Sequence, residues 1–226
     1  MSINILKELN LEKMRGKFLK YTRKAFKMLP EIENPRILDI GCGAGIPTLE
    51  LAKLSNGEII GIDIDQKALN KLNSKIDKQG LSNRIKAKKL SLYNNSFSDE
   101  YFDILWDEGV LHILDLEKSL KECNRILKPK GFLVLGEMIT WIKNQFEIFP
   151  KYGFNLVNQF FLPEKCWWTD YYLPLEKKIK DLYIKYKGFK DLKKLKQYER
   201  EIEMVKKKPK EFDCGFYIMQ KVNQKK

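Results

Sequence analysis

The stretch ILDIGCGAG, residues 37–45, constrains this chain most: an apolar run closes on a glycine-rich turn, and the acidic pair of GIDID follows eighteen residues past the last glycine. Ile37, Leu38 and Ile40 read as a buried parallel strand. Gly41, Gly43 and Gly45 let the backbone turn sharply and approach a ligand that side chains would block. A carboxylate at the tip of the next strand, Asp63, can grip two ribose hydroxyls, with Ile64 beside it in the candidate site. The unit therefore suits an adenosine-type cofactor.

Spacing narrows the cofactor. A dinucleotide fingerprint runs GxGxxG and leaves helix amides free for a pyrophosphate, whereas Gly41-Cys42-Gly43-Ala44-Gly45 is GxGxG, with Ile46 where the last dinucleotide glycine belongs. Asp39, two places before the first glycine, would repel a pyrophosphate but suits a ligand carrying an amino group and a sulfonium. On these residues the segment resembles motif I of the class I S-adenosylmethionine-dependent methyltransferases.

The neighbours follow that family's order. EIIGIDID (58–65) is a second buried strand, and QKALNKLNSKIDKQGL is an amphipathic helix with Leu69, Leu72 and Ile76 on one face. A third strand, FDILW and the strand after KPKG complete an alternation that calls for helices on both faces of a parallel sheet. KPKG resembles the family's KPGG turn. GFNLVNQFFL (153–162) and DCGFYIMQKV (213–222) are two further strands at the sheet's edge. The resemblance implies an α/β three-layer sandwich, Rossmann-like, with a seven-stranded, mostly parallel sheet and an antiparallel last strand.

Length and composition fit one domain over 1–226: an N-terminal helical lid (1–30), a cofactor-binding core (35–162), a helical insertion (163–210) and the last strand (211–222). At 43% hydrophobic the chain can bury one sizeable core, and no run of about eighteen apolar residues could span a bilayer. The N-terminus is charged and lacks a small-residue cleavage site, so a cytoplasmic location is expected. Four cysteines stand far apart without CxxC, and a single histidine excludes a metal site built on two imidazoles, so no metal is expected.

The formal charge of +13 raises a nucleic-acid partner, because residues 176–210 hold thirteen Lys and one Arg against six acids. These lysines, however, stand beside Glu and Asp at helical spacings, and aromatics are not interleaved among the lysines of residues 190–210 as a stacking platform would require. A solvated helical face accounts for them without a partner. An RNA methyltransferase docking through these helices stays as the alternative, beside a non-catalytic cofactor-binding subunit.

Chemistry belongs where the carboxyl ends of the strands meet. The fourth strand opens into Asp107-Glu108-Gly109-Val110-Leu111-His112-Ile113, and in the family this loop lies beside the transferred methyl. Glu108 is placed nearest the cofactor. His112 either packs on a helix face or serves as general base, ahead of Glu108 and Tyr171. Many relatives carry an Asp that accepts from the adenine amine where this chain has Ser91; the Ser91 hydroxyl can accept the same bond more weakly, and the Leu92 amide can read the ring nitrogen.

For the acceptor, a stripe of Leu11, Met14, Phe18, Tyr21, Ala25 and Leu29 predicts an N-terminal helix acting as a lid. In the insertion, two Trp and two Tyr fall within six residues, 167–172. Trp167 is read as structural; Trp168, Tyr171 and Tyr172, with Tyr21, are candidate pocket members for a small molecule. LPEKCWWTDYYLPLE and the terminal GFYIMQK extend the likeness to a ubiquinone/menaquinone-methyltransferase-like subgroup. The connection after the fifth strand looks too short for the helix that relatives carry, which would leave the pocket wider or completed by another subunit, as a monomer or a homodimer.

Overall fold

The computed structural model describes residues 5–188 and 190–222. In chain order the helices and strands are α1 (Ile5–Leu9), α2 (Leu11–Gly16), α3 (Leu19–Lys27), β1 (Arg36–Ile40), α4 (Ile46–Leu54), β2 (Glu58–Asp63), α5 (Gln66–Lys78), β3 (Ile85–Lys89), β4 (Phe102–Glu108), α6 (Leu116–Ile126), β5 (Leu127–Met138), α7 (Ile139–Gln145), β6 (Phe154–Phe161), α8 (Leu173–Lys185), α9 (Lys196–Lys207) and β7 (Cys214–Lys221). They form two compact units. One joins residues up to Phe18 with Leu162–Asp213, and the other comprises Leu19–Phe161 and the residues from Cys214 on.

The larger unit is built on a seven-stranded sheet of order β3-β2-β1-β4-β5-β7-β6. Only β7 runs antiparallel to its neighbours. Having laid β1, β2 and β3 to one side, the chain returns to place β4 against β1, and this reversal opens a crevice at the carboxyl ends of the two strands. Alternation then decides which residues face which layer. Leu105, Leu133 and Leu135 join Leu120, Cys123 and Ile126 of α6 in the main apolar cluster. Trp106, fully buried, points the other way, between the rings of Phe26 and Phe216.

Local chemistry sets the helix boundaries. Asp65 caps α5 by accepting the Lys67 amide at 2.8 Å, and Leu69, Leu72 and Ile76 are buried at the expected spacing. Asp115 caps α6 in the same way, from the Lys118 amide. The KPKG segment falls within the span of β5; Lys130 is left-handed there, and the β4–β5 register shifts between Phe102 and Ile104, so the expected turn is an irregularity in a longer strand.

Two expectations need correction. The apolar stripe of residues 11–29 does not form one helix: α2 and α3 are separate, the stripe is divided between the two units at Phe18, and Leu29 lies past the end of α3. Upstream, Asn10 is left-handed between α1 and α2, a conformation that asparagine tolerates and a helix does not. The connection after β5 is helical after all. Ile139–Gln145 makes two turns anchored by the buried Ile142, and 3-10 turns over Phe146–Tyr152 carry the buried Phe149.

The smaller unit has its own core of Ile5, Leu9, Leu175, Ile179, Leu182, Leu192, Leu195 and Ile202. Around it, Lys180 and Lys206 pair with Glu176, Lys185 with Glu8 and Lys194 with Asp191. Among the described residues, no helix is long and apolar enough to cross a membrane.

Candidate cofactor and catalytic site

The glycine loop joins β1 to α4, and its three glycines are all left-handed, at φ 65°, 53° and 78°. They are required for different reasons. A Cβ on Gly41 would come within 2.3 Å of Val110 Cγ2, and one on Gly45 within 2.2 Å of Leu72 Cδ1. Gly43 meets nothing nearer than Asp63 Oδ2 at 3.9 Å, so here the missing side chain leaves open space. Cys42 ties the loop to β2 through its amide, which donates to Ile62 O at 3.0 Å, while its buried thiol lies 3.9 Å from Gly43 O.

Asp63 closes this loop onto β2. One oxygen accepts the Gly43 amide and the other the Asp65 amide, both at 2.8 Å. Ile64, next in the chain, is 72% exposed, an apolar surface held at the crevice. The Leu90 amide donates to Asp63 O at 3.2 Å and so brings Ser91 to the same strand end. There the Ser91 hydroxyl accepts the Tyr93 amide at 3.2 Å, and Leu92 is buried.

Asp39 lies inward of the loop, 2% exposed, and accepts the Thr48 hydroxyl from α4 at 2.5 Å. Burial, partly offset by that hydrogen bond, pushes its carboxyl up to about 7, with the charges of Glu108 and Asp63 adding to the rise. Three carboxyls thus converge at the ends of β1, β2 and β4. Glu108 is fixed from two sides, by Thr22 Oγ1 of α3 at 2.7 Å and by Trp106 Nε1 at 3.0 Å. A crevice with this charge favours a cation over a pyrophosphate.

His112 sits in a 3-10 turn, Leu111–Ile113, just after β4. Its Nδ1 lies 3.0 Å from Glu137 Oε2 and 3.2 Å from Oε1, and its amide donates to Oε1 at 3.3 Å. Since a carboxylate only accepts, Nδ1 carries the proton and Nε2 of the neutral ring is the basic nitrogen. The hydrogen bond to Glu137 raises the His112 pKa, partial burial works against this, and the Glu137 charge adds to the rise. Below Glu137 lies Asp107, wholly buried, with Oδ1 accepting the amides of Val110 and Leu111 at 3.1 Å.

Sequence reasoning missed Glu137 and Asp107. The signal was available, because an acid ending an apolar strand of an α/β sheet lies at the ligand edge. Both stood in strings whose glycine and histidine were the more conspicuous residues.

The aromatic candidates of residues 167–172 belong to the smaller unit. Trp167 stacks on Phe18 at 4.4 Å beneath the Arg15 guanidinium. Trp168–Tyr172 winds as a π-helical turn, a form frequent at functional sites, yet Trp168, Tyr171 and Tyr172 pack against that unit's core. Burial pushes the Tyr171 phenol up. Tyr21 lies on α3 in the larger unit, half-buried, so the four pocket candidates are not all in one unit.

Residues 38–135 match the family model described as a methyltransferase domain. Among curated proteins, a demethylmenaquinone methyltransferase from Lactobacillus johnsonii is 31% identical over 145 residues, 59% of each chain. A 27-O-demethylrifamycin SV methyltransferase from Amycolatopsis mediterranei is 30% identical over 113 residues, 50% of this chain and 42% of that one. The matches thus span about half the length of these relatives. Of solved structures, the [4+2]-cyclase SpnF superposes with a TM-score of 0.78 at 17% identity, covering 91% of this chain and 81% of that one. A methyltransferase from Geobacter sulfurreducens, solved with S-adenosyl-L-homocysteine, gives 0.70 at 16% identity, covering 91% and 90%. At such identities these two show the fold alone.

Proposed function

We propose that this chain, whose core is a class I S-adenosylmethionine-dependent methyltransferase domain, transfers a methyl group to a small-molecule acceptor. The observation that carries the reading is the junction of Gly43 and Asp63: the Gly43 amide donates to the Asp63 carboxylate at the carboxyl ends of β1 and β2, the space beside the Gly43 Cα is open, and the exposed Ile64 follows Asp63. Asp63 has the geometry to hold ribose hydroxyls and Ile64 to cover an adenine face. Ser91 and the Leu92 amide would read its edge, and the acids Asp39 and Glu108 favour the positive end. When bound, S-adenosylmethionine supplies an electrophilic methyl on a sulfonium.

What remains for the protein is to align a nucleophile, keep water out and take a proton. His112 is the group that takes the proton, since Glu137 holds Nδ1 and Nε2 faces away from that bond. Glu108 is committed to Thr22 and Trp106, which supports an electrostatic role for it at the cofactor. The acid-paired lysines of the smaller unit support the solvated-face reading and no RNA partner.

The test is calorimetric titration with S-adenosylmethionine and S-adenosylhomocysteine, with NAD as the control, followed by an acceptor screen reading S-adenosylhomocysteine release. Micromolar binding lost in Asp63→Ala is the expected result. Absent binding, or a preference for NAD, overturns the proposal.

A further inference from the structure

β4 and β5 run parallel with Asp107 opposite Leu135, so Glu137, two residues on, projects from the same face as Asp107. Both carboxyls are sealed from solvent, at 0% and 1% exposure. Glu137 accepts two donors from His112, its amide and its ring. Asp107 divides its oxygens: Oδ1 accepts two backbone amides, while Oδ2 is buried with no donor among the described residues. That asymmetry is what a neutral carboxylic acid requires, with a carbonyl oxygen that accepts and a hydroxyl that donates.

We propose that Asp107 and Glu137 share one proton, carried on Asp107 Oδ2 and donated to Glu137, so that Glu137 remains a single anion aimed at His112 Nδ1. Two carboxyls on one face of adjacent strands and shut away from water cannot both ionise. The proton goes to Asp107 because Glu137 already has two donors and Asp107 Oδ2 has none. In agreement, burial first, then the Glu137 charge and a hydrogen bond to it, raise Asp107 well above the usual carboxylate range. The other titratable groups facing this pair are Cys123 of α6 and Tyr217 of β7, both held protonated by burial. The Tyr217 hydroxyl is likewise buried without a hydrogen-bond partner among the described residues. Asp107 is thus a positioning residue, acting on His112 through Glu137. It keeps one negative charge, not two, behind the base.

Only the catalytic consequence rests on His112 being the base; the proton arrangement can be measured without cofactor or acceptor, so its failure is distinct from failure of the methyl-transfer reading. The chain has a single histidine, so a nuclear magnetic resonance titration of the imidazole Cε1–H reports His112 alone. Glu137→Gln is expected to lower the His112 midpoint. Asp107→Asn is expected to leave it within about 0.3 of a pH unit, because the amide NH₂ replaces the acid O–H without changing charge. A fall in Asp107→Asn as large as that in Glu137→Gln would mean that Asp107 is an anion and overturn the proposal. If the variants fail to fold, infrared spectroscopy of the wild-type protein decides. At about pH 8.5, above the Asp39 midpoint, a protonated-carboxyl band supports the shared proton and its absence refutes it.

Discussion

The Gly43 amide donates to Asp63 Oδ2 at 2.8 Å, tying the glycine loop to the tip of β2 across twenty residues. Asp63→Ala removes that acceptor and the one for the Asp65 amide. Two hydrogen bonds to an ionised group put the stability loss at roughly 2–4 kcal/mol, and cofactor binding is lost as well. Asp63→Asn keeps an acceptor for one amide, so it should melt closer to wild type while still failing to bind. Thermal melts paired with calorimetry separate the two effects.

Gly43 and Gly45 should fail differently. Gly45→Ala drives a methyl into Leu72 at 2.2 Å in a left-handed backbone, and the cost is about 3 kcal/mol or more. Gly43→Ala incurs only the left-handed penalty of about 1–2 kcal/mol, since its space is open. It should fold and lose cofactor affinity, because that space is where the ligand goes. Equal binding losses without a stability difference would mean that the two glycines serve the ligand alike and that Leu72 yields to a methyl.

His112→Asn should lower kcat by roughly 10²- to 10⁴-fold with a hydroxyl or amine acceptor and leave cofactor affinity unchanged. Because Glu137 favours the imidazolium, the wild-type rate should rise with pH as His112 loses its proton, through a midpoint above the ordinary histidine value. The kcat/KM profile checks this. A pH-independent rate argues for an acceptor that needs no base.

Asp39 makes the unliganded protein pH-sensitive. Its folded-state value of about 7 stands above the ordinary 3.8, so the folded protein holds a proton that the unfolded chain releases between those limits. Stability should therefore be highest near pH 4 on this account and fall as pH rises to 7, by a few kcal/mol in order of magnitude. His112, whose folded-state value is also raised by Glu137, acts in the same direction through its own titration. Asp39→Asn should flatten the lower part of the curve in thermal denaturation across pH and melt higher at neutral pH.

In the smaller unit, Trp167→Ala removes the ring that stacks on Phe18 and carries Arg15. A loss of about 3 kcal/mol is expected, read as faster hydrogen exchange in α8 and α9.

The sheet and the cofactor loop were legible because their signals are local. Glycine spacing, strand-length apolar runs and the period of Leu69, Leu72 and Ile76 each sit within a few residues, and each survived folding unchanged. What the sequence hid depends on pairings across distance. Glu137 meets His112 only because β5 lies beside β4, and the stripe from Leu11 to Leu29 looks continuous until its two ends join different cores. Trp168, Tyr171 and Tyr172 carried the composition of a pocket wall, and the same apolar surface serves as core.

The position of β7 governs how this protein is made. It pairs with both β5 and β6, yet it is synthesised only after the whole of residues 162–213. On the ribosome, β6 therefore emerges without the strand it hydrogen-bonds to, and one margin of β5 stays bare for the same interval. Unpaired margins of this kind template wrong association. The stretch that most needs chaperone cover is thus the growing chain between β6 and β7, and synonymous codon changes there, by altering how long the gap lasts, would change the yield of folded protein without altering one residue of it.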